Sequence, residues 1–240
     1  MLVARVGVLT LSVLAVLLAS ACGRTAPAPA VAINMRQAAA YAAEINLRSG
    51  DLPGATDEAP GRRIAITSHS ASPCLRRLGT GDEIGSPLLA QRGGEALTVR
   101  SHVFVQTAGV ARFRPSLESL ETGLRCEEHR TLTHLAKVNG ESSLPSFTTS
   151  VLPLPSRLRG KPAYGVRIDL CGSITEPRCS NPHGVATSYG DTFEISTPPA
   201  VVTLVVSSYF YPPSSAVEQR LLSLLYSRVT AHKLSATSGT

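Results

Sequence analysis

The chain has 240 residues, 43% hydrophobic and 17% charged, which is enough apolar side chain for a packed core and argues against global disorder. Its formal charge is +6, and taking away Met1–Ala21, whose only charged residue is Arg5, leaves +5. That excess is spread thinly, without basic runs interleaved with aromatics, so nucleic acid is not an expected partner.

Arg5, the apolar run Val6–Leu18 and the small residues Ala19-Ser20-Ala21 read as a secretory signal over residues 1–21. The run is shorter than the roughly 20 apolar residues of a membrane-spanning helix. The junction Ala19-Ser20-Ala21-Cys22-Gly23 resembles a bacterial lipobox, whose Cys receives diacylglycerol and acyl chains such as palmitate. It departs from the usual pattern in carrying Ala19 where Leu is common, with Leu18 one place earlier. The expectation is a lipid on Cys22; the alternative is cleavage after Ala21 and a freely secreted chain. Residues 22–34, with Ala and Pro alternating over Ala26–Ala30, suit an extended spacer.

One domain is expected over residues 35–233, with a frayed tail at 234–240. Met35–Leu47 has a helix-forming composition, and Asp51-Leu-Pro-Gly54 is turn chemistry. Ile64-Ala-Ile66 is a short alternation. Ser72-Pro73 suits the start of a short helix running through Cys74. Leu97–Gln106 alternates, placing Leu97, Val99, Ser101, Val103 and Val105 on one strand face. Gly109–Val138 has helical spacing, with a break expected over Cys126–Arg130. Phe147–Leu152 and Tyr164–Leu170 read as strands. Ser188–Ile195 and Val201–Phe210 read as a hairpin whose second member is a central strand. A last helix, capped by Ser214 or Ser215, is expected from Ala216 to about Lys233 with Val217, Leu221, Leu224, Leu225 and Val229 on its buried stripe. This order predicts an α+β fold: a single, mostly antiparallel sheet flanked by helices.

Setting Cys22 aside leaves Cys74, Cys126, Cys171 and Cys179, an even number that implies two disulfides in an exported protein. Three pairings are possible. Cys74–Cys126 with Cys171–Cys179 is favoured, because residues 171–179 form a Gly- and Pro-bearing loop that a local bridge closes. Cys126, His129 and His134 do not suggest zinc: no Cys-x-x-Cys is present, and a His spacing of five leaves one helical face. No metal or cofactor is expected.

Catalytic signatures are missing as well: no Gly-x-Ser-x-Gly elbow, Ser-x-x-Lys, His-Glu-x-x-His or phosphate-cradling Gly loop occurs. Asp191, His183 and Ser188 make a triad only on paper. Asp169 and the adjacent Glu127-Glu128 read as structural, since neighbours on a helix do not face each other. Arg76, Arg77 and Arg125 read as surface cations. Tyr209-Phe210-Tyr211 suggests an apolar pocket or a lipid contact, with two of the three as core and rim.

Several short motifs carry a family resemblance: Asp51-Leu-Pro-Gly54, Cys74-Leu75, Tyr189-x-Asp191-x-Phe193, the Val-rich strand after it, and Glu218-x-Arg220-Leu221-Leu222. With the anchor and spacer, this layout resembles actinobacterial exported lipoproteins and the extracellular sensor domains of receptor Ser/Thr kinases. The resemblance implies an antiparallel sheet flanked by helices, two disulfides and a ligand-binding or sensing role; a Mog1/PsbP-like sandwich is the alternative architecture. The expected protein is a non-catalytic lipoprotein on the extracytoplasmic face of the cell membrane, held by its lipid and binding an unidentified envelope ligand or protein. The rival is an exported hydrolase with an unrecognised site.

Overall fold

The computed structural model describes residues 33–66, 74, 80–91, 97–108, 116–140, 146–171 and 188–234. The expected signal, Cys22, most of the spacer, the Ser72-Pro73 helix start, Cys179, His183 and the tail beyond Leu234 lie outside the described residues, as does the side chain of Cys171. Among the described residues, no helix is long and apolar enough to cross a membrane.

Among the described residues nine strands form one sheet: β1 (Ala55–Ala59), β2 (Arg63–Ile66), β3 (Thr80–Gly85), β4 (Leu88–Gln91), β5 (Leu97–Ala108), β6 (Ser146–Val151), β7 (Ala163–Cys171), β8 (Ser188–Thr197) and β9 (Ala200–Tyr209). Their order is β1-β4-β5-β9-β8-β7-β6, with β2 and β3 attached to the other half of β5. Every pairing is antiparallel. The expected hairpin is β8–β9, and β9 is the middle strand. The helices are α1 (Met35–Ile45), α2 (Leu117–Asn139) and α3 (Ser215–Ala231). The α+β expectation therefore holds.

Strand parity sorts the two faces. Val99, Val103 and Val105 of β5, Phe193 and Ile195 of β8, and Val202, Leu204 and Val206 of β9 share one core with Ile45, Leu221, Leu222 and Leu225. That is the face covered by α1 and α3. Val166 and Ile168 have the opposite parity and are buried on the other face, where α2 packs on β7 and contributes Leu120, Leu132 and Ala136. Ser101 stands in the apolar row of β5 because its hydroxyl is fully used. It accepts the Leu47 N–H at 2.9 Å and donates to Asn46 Oδ1 at 2.8 Å, tying α1 to the sheet.

Two sequence expectations fail. α2 runs unbroken through Cys126–Arg130, because that polar stretch faces largely outward and is held by Glu121–Arg125 and Glu127–Arg130 pairs at helical spacing. α3 has Ser214 at its N-cap position, but that side chain makes no capping bond; its fully buried stripe includes Glu218 and Leu222, while the expected Val217 and Leu224 pack against the core only partly buried.

Cys74 and Cys126 are joined, their Cα atoms 5.5 Å apart, so the favoured pairing is present for this couple. The bridge staples the buried Cys74 to α2. The Asp51–Gly54 turn also has a clear structural use. Asp51 accepts the Arg48 N–H at 2.7 Å and takes both Arg228 Nη atoms at 2.8 Å; Leu52 is buried, and Gly54 has φ +74°.

Candidate functional site

The densest group of buried ionisable side chains lies between β7, β8 and α3. Arg167 of β7 and Asp191 of β8 are directly paired across the strands, both on the face under α3. The guanidinium makes a two-pronged contact, Nε to Oδ1 at 2.7 Å and Nη2 to Oδ2 at 2.6 Å. Asp191 is fully buried, while 19% of the Arg167 side chain reaches solvent. The Arg167 guanidinium also lies 5.7 Å from the centre of the Tyr189 ring. Gly165, two residues before Arg167, lets the Phe193 ring pack flat beneath the group: a Cβ there would come within 2.6 Å of that ring.

Glu218, in the first turns of α3, points at the same place from above. It is 4% exposed, and its carboxyl hydrogen-bonds Asp191. Burial, the bond to Asp191 and the Asp191 charge push its pKa up to about 9 against the opposing pull of Arg167. At neutral pH Glu218 is therefore protonated and donates to Asp191, which Arg167 grips from the other side. Asp169, one inward position further along β7, is raised too, by burial first and by the Asp191 charge, with Arg167 pulling it down. One oxygen of this group, Asp169 Oδ1, is buried without a hydrogen-bond partner.

The group offers a guanidinium edge and the unpartnered Asp169 Oδ1. Ser188 is three residues from Asp191 on one strand and so faces the opposite side of the sheet, and His183 lies outside the described residues. Ser188 and Asp191 are therefore not brought together. Among the described residues no three His, Cys, Asp or Glu side chains converge as a metal site, and Cys126 is consumed by its disulfide. Glu127 pairs with Arg130, whereas Glu128 is pushed up by burial alone, so these neighbours do not act together. Arg125 reaches both Glu121 and Thr149 of β6, a tie between α2 and the sheet edge. Arg76 and Arg77 are outside the described residues.

Sequence reasoning quoted Asp191, Asp169 and Glu218 but did not bring them together, and it passed over Arg167. A signal existed: Glu218 stands three, four and seven residues before Leu221, Leu222 and Leu225, so it shares their buried face. A carboxyl on an apolar stripe requires a partner in the sheet below.

Hollows open elsewhere among the described residues. One of about 420 Å³ lies beside the disulfide, against Ser116, Ser119 and Thr122 at the start of α2. Another, about 280 Å³ and mainly apolar, is lined by Leu52, Pro53, Gln91, Ala216, Val217 and Arg220. Contrary to the core-and-rim expectation, Tyr209, Phe210 and Tyr211 are all exposed, by 56%, 69% and 61%.

No family model matches the chain, and no curated protein matches it. Among solved structures, the extracellular domain of PknH from Mycobacterium tuberculosis aligns with 85% of this chain and 94% of its own, at 10% identity and a TM-score of 0.36. A likeness that loose transfers no residue role and no activity.

Proposed function

We propose that the chain is an exported, lipid-anchored envelope protein whose folded part is a non-catalytic, sensor-like module for a small polar ligand. One observation carries the binding reading: Asp169 Oδ1 is a buried carboxyl oxygen without a partner, beside an Arg167 side chain that reaches solvent. Buried polar oxygens are ordinarily paired, and each one left unpaired costs about 1–3 kcal/mol. A ligand bearing hydroxyl or amino donors supplies the missing bond. The non-catalytic reading is supported by the full burial of Asp191 and by Ser188 facing the opposite side of the sheet. The export reading is supported by the signal-like N-terminus, the lipobox-like Cys22 and a disulfide, which persists in oxidising compartments.

Native mass spectrometry of the protein recovered from its own envelope tests the binding claim. A co-purified polyol or amine is expected, and it should be lost from Asp169→Asn. Protein that arrives empty, and whose unfolding temperature no polyol or amine shifts, would make the group purely structural. Intact mass of the membrane fraction with and without Cys22→Ala tests the anchor. An unmodified, released wild-type species would remove it.

A further inference from the structure

We propose that the turn Tyr209-Phe210-Tyr211, with the Arg220 pocket beside it, is a second, non-covalent contact with an anionic phospholipid bilayer. The other exposed large apolar residues, Met35, Ile64, Val138 and Val151, are scattered singly along the chain, but these three are consecutive. Phe210 adopts φ +70°, a conformation that residues other than glycine rarely take, and Ser208 Oγ donates to the Tyr211 carbonyl at 2.6 Å to close the turn. The backbone thus holds a phenyl ring in water with a tyrosine on each side. Tyrosines flanking a fully apolar ring suit the boundary between headgroups and acyl chains.

The pocket belongs to the same end of the sheet. Gln91 pairs with Leu97, and Leu97 with Ser208, so the pocket's Gln91 shares one cross-strand row with the residue before the triplet. Its Ala216 and Val217 are the second and third residues of α3, which begins four residues after Tyr211. Arg220 is exposed at its edge and donates to the Asp51 carbonyl at 3.3 Å, leaving guanidinium donors for a phosphate. The start of α3 has no side-chain cap, so its partial positive charge adds to that of Arg220. Aromatic tip and cationic edge complement acyl boundary and anionic headgroup.

The proposal rests on the anchored reading in one respect. Eleven residue steps separate Cys22 from Ile33, at most about 40 Å of chain. A lipid on Cys22 would keep the domain within that reach of the bilayer, where a weak contact is multiplied by local concentration.

The test uses the exported Cys22→Ala chain, which carries no lipid, so it is independent of whether the anchor exists. The sequence has no Trp, which makes Phe210→Trp a single fluorescent reporter. Added vesicles of equimolar phosphatidylglycerol and phosphatidylcholine should blue-shift its emission, and brominated acyl chains should quench it. In co-sedimentation, Phe210→Gly should lower partitioning at least about tenfold, while its unfolding temperature stays equal or rises because glycine accepts φ +70°. Arg220→Gln should weaken binding to anionic vesicles and not to pure phosphatidylcholine. Unchanged emission, or partitioning unaltered by Phe210→Gly, overturns the proposal. So does a dimer seen without vesicles that Phe210→Gly dissolves, which would make the turn an interface between copies.

Discussion

Phe210 and Glu218 are both held in positions that cost free energy, and each cost can be measured. The left-handed backbone at Phe210 is disfavoured by about 1–2 kcal/mol for a residue with a Cβ. With 69% of the residue in solvent, little burial offsets it. Phe210→Gly removes the steric cost but adds freedom to the unfolded chain, worth about 0.5–1 kcal/mol. Stability should therefore stay level or rise by up to about 1 kcal/mol in urea unfolding, and a clear loss would mean that the ring packs in the fold. Glu218 is strained electrostatically. Its folded pKa of about 9 lies above the ordinary 4.5, so between those values the native state holds a proton that the unfolded chain has released. The associated stability is fully present below pH 4.5 and is lost as pH rises toward 9, at up to about 1.4 kcal/mol per pH unit. Glu218→Gln keeps an N–H donor toward Asp191 and removes the titration. It should flatten stability against pH over this window and be the more stable form at pH 8, as read by urea midpoints across a pH series. A variant less stable than wild type at pH 8 would show Glu218 ionised in the fold.

The elements differ in how clearly the sequence announced them. β5 and β7 alternate, and β9 is apolar nearly throughout, because long strands buried on one or both faces leave a periodic record. β1, β3 and β4 left almost none. Ala55–Ala59 is a mostly exposed edge, and the short β3 and β4 owe their pairing to β5, whose two halves bind them separately. α3 was placed correctly but turned slightly wrong, since its stripe was counted from Val217 rather than Glu218. The rotation makes a direct prediction. Leu222 is 1% exposed and Leu224 only partly buried, so Leu222→Ala should cost about 2–5 kcal/mol and Leu224→Ala clearly less. Equal losses in denaturant titrations would restore the original stripe. The candidate site was harder to foresee for a related reason. Arg167, Asp191 and Glu218 come from three elements, and only the antiparallel register of β7 with β8 and the docking of α3 bring them together.

At the scale of the molecule, the two faces of the sheet are unequally supported. The face under α1 and α3 holds the large continuous core, tied further by Arg228 to Asp51 and by Asn46 to Ser101. On the other face, α2 is 23 residues long, yet its described, fully buried large side chains are few, Leu120 and Leu132 among them. The Cys74–Cys126 bridge and the Glu121–Thr149–Arg125 contacts make up part of that deficit. The bridge closes a separation of 52 residues, for which chain entropy gives about 4 kcal/mol, with measured losses on removal of about 2–5 kcal/mol. Cys126→Ser should therefore lower global stability by about 2–4 kcal/mol. The loss should also be uneven, because Cys126 sits in the layer with the weaker apolar contact. Amide hydrogen exchange in the variant should quicken first in residues 117–139, while β5, β8, β9 and α3 keep their protection. Uniform loss across both faces would mean that α2 and the sheet unfold as one cooperative unit, with the disulfide acting only through the unfolded chain.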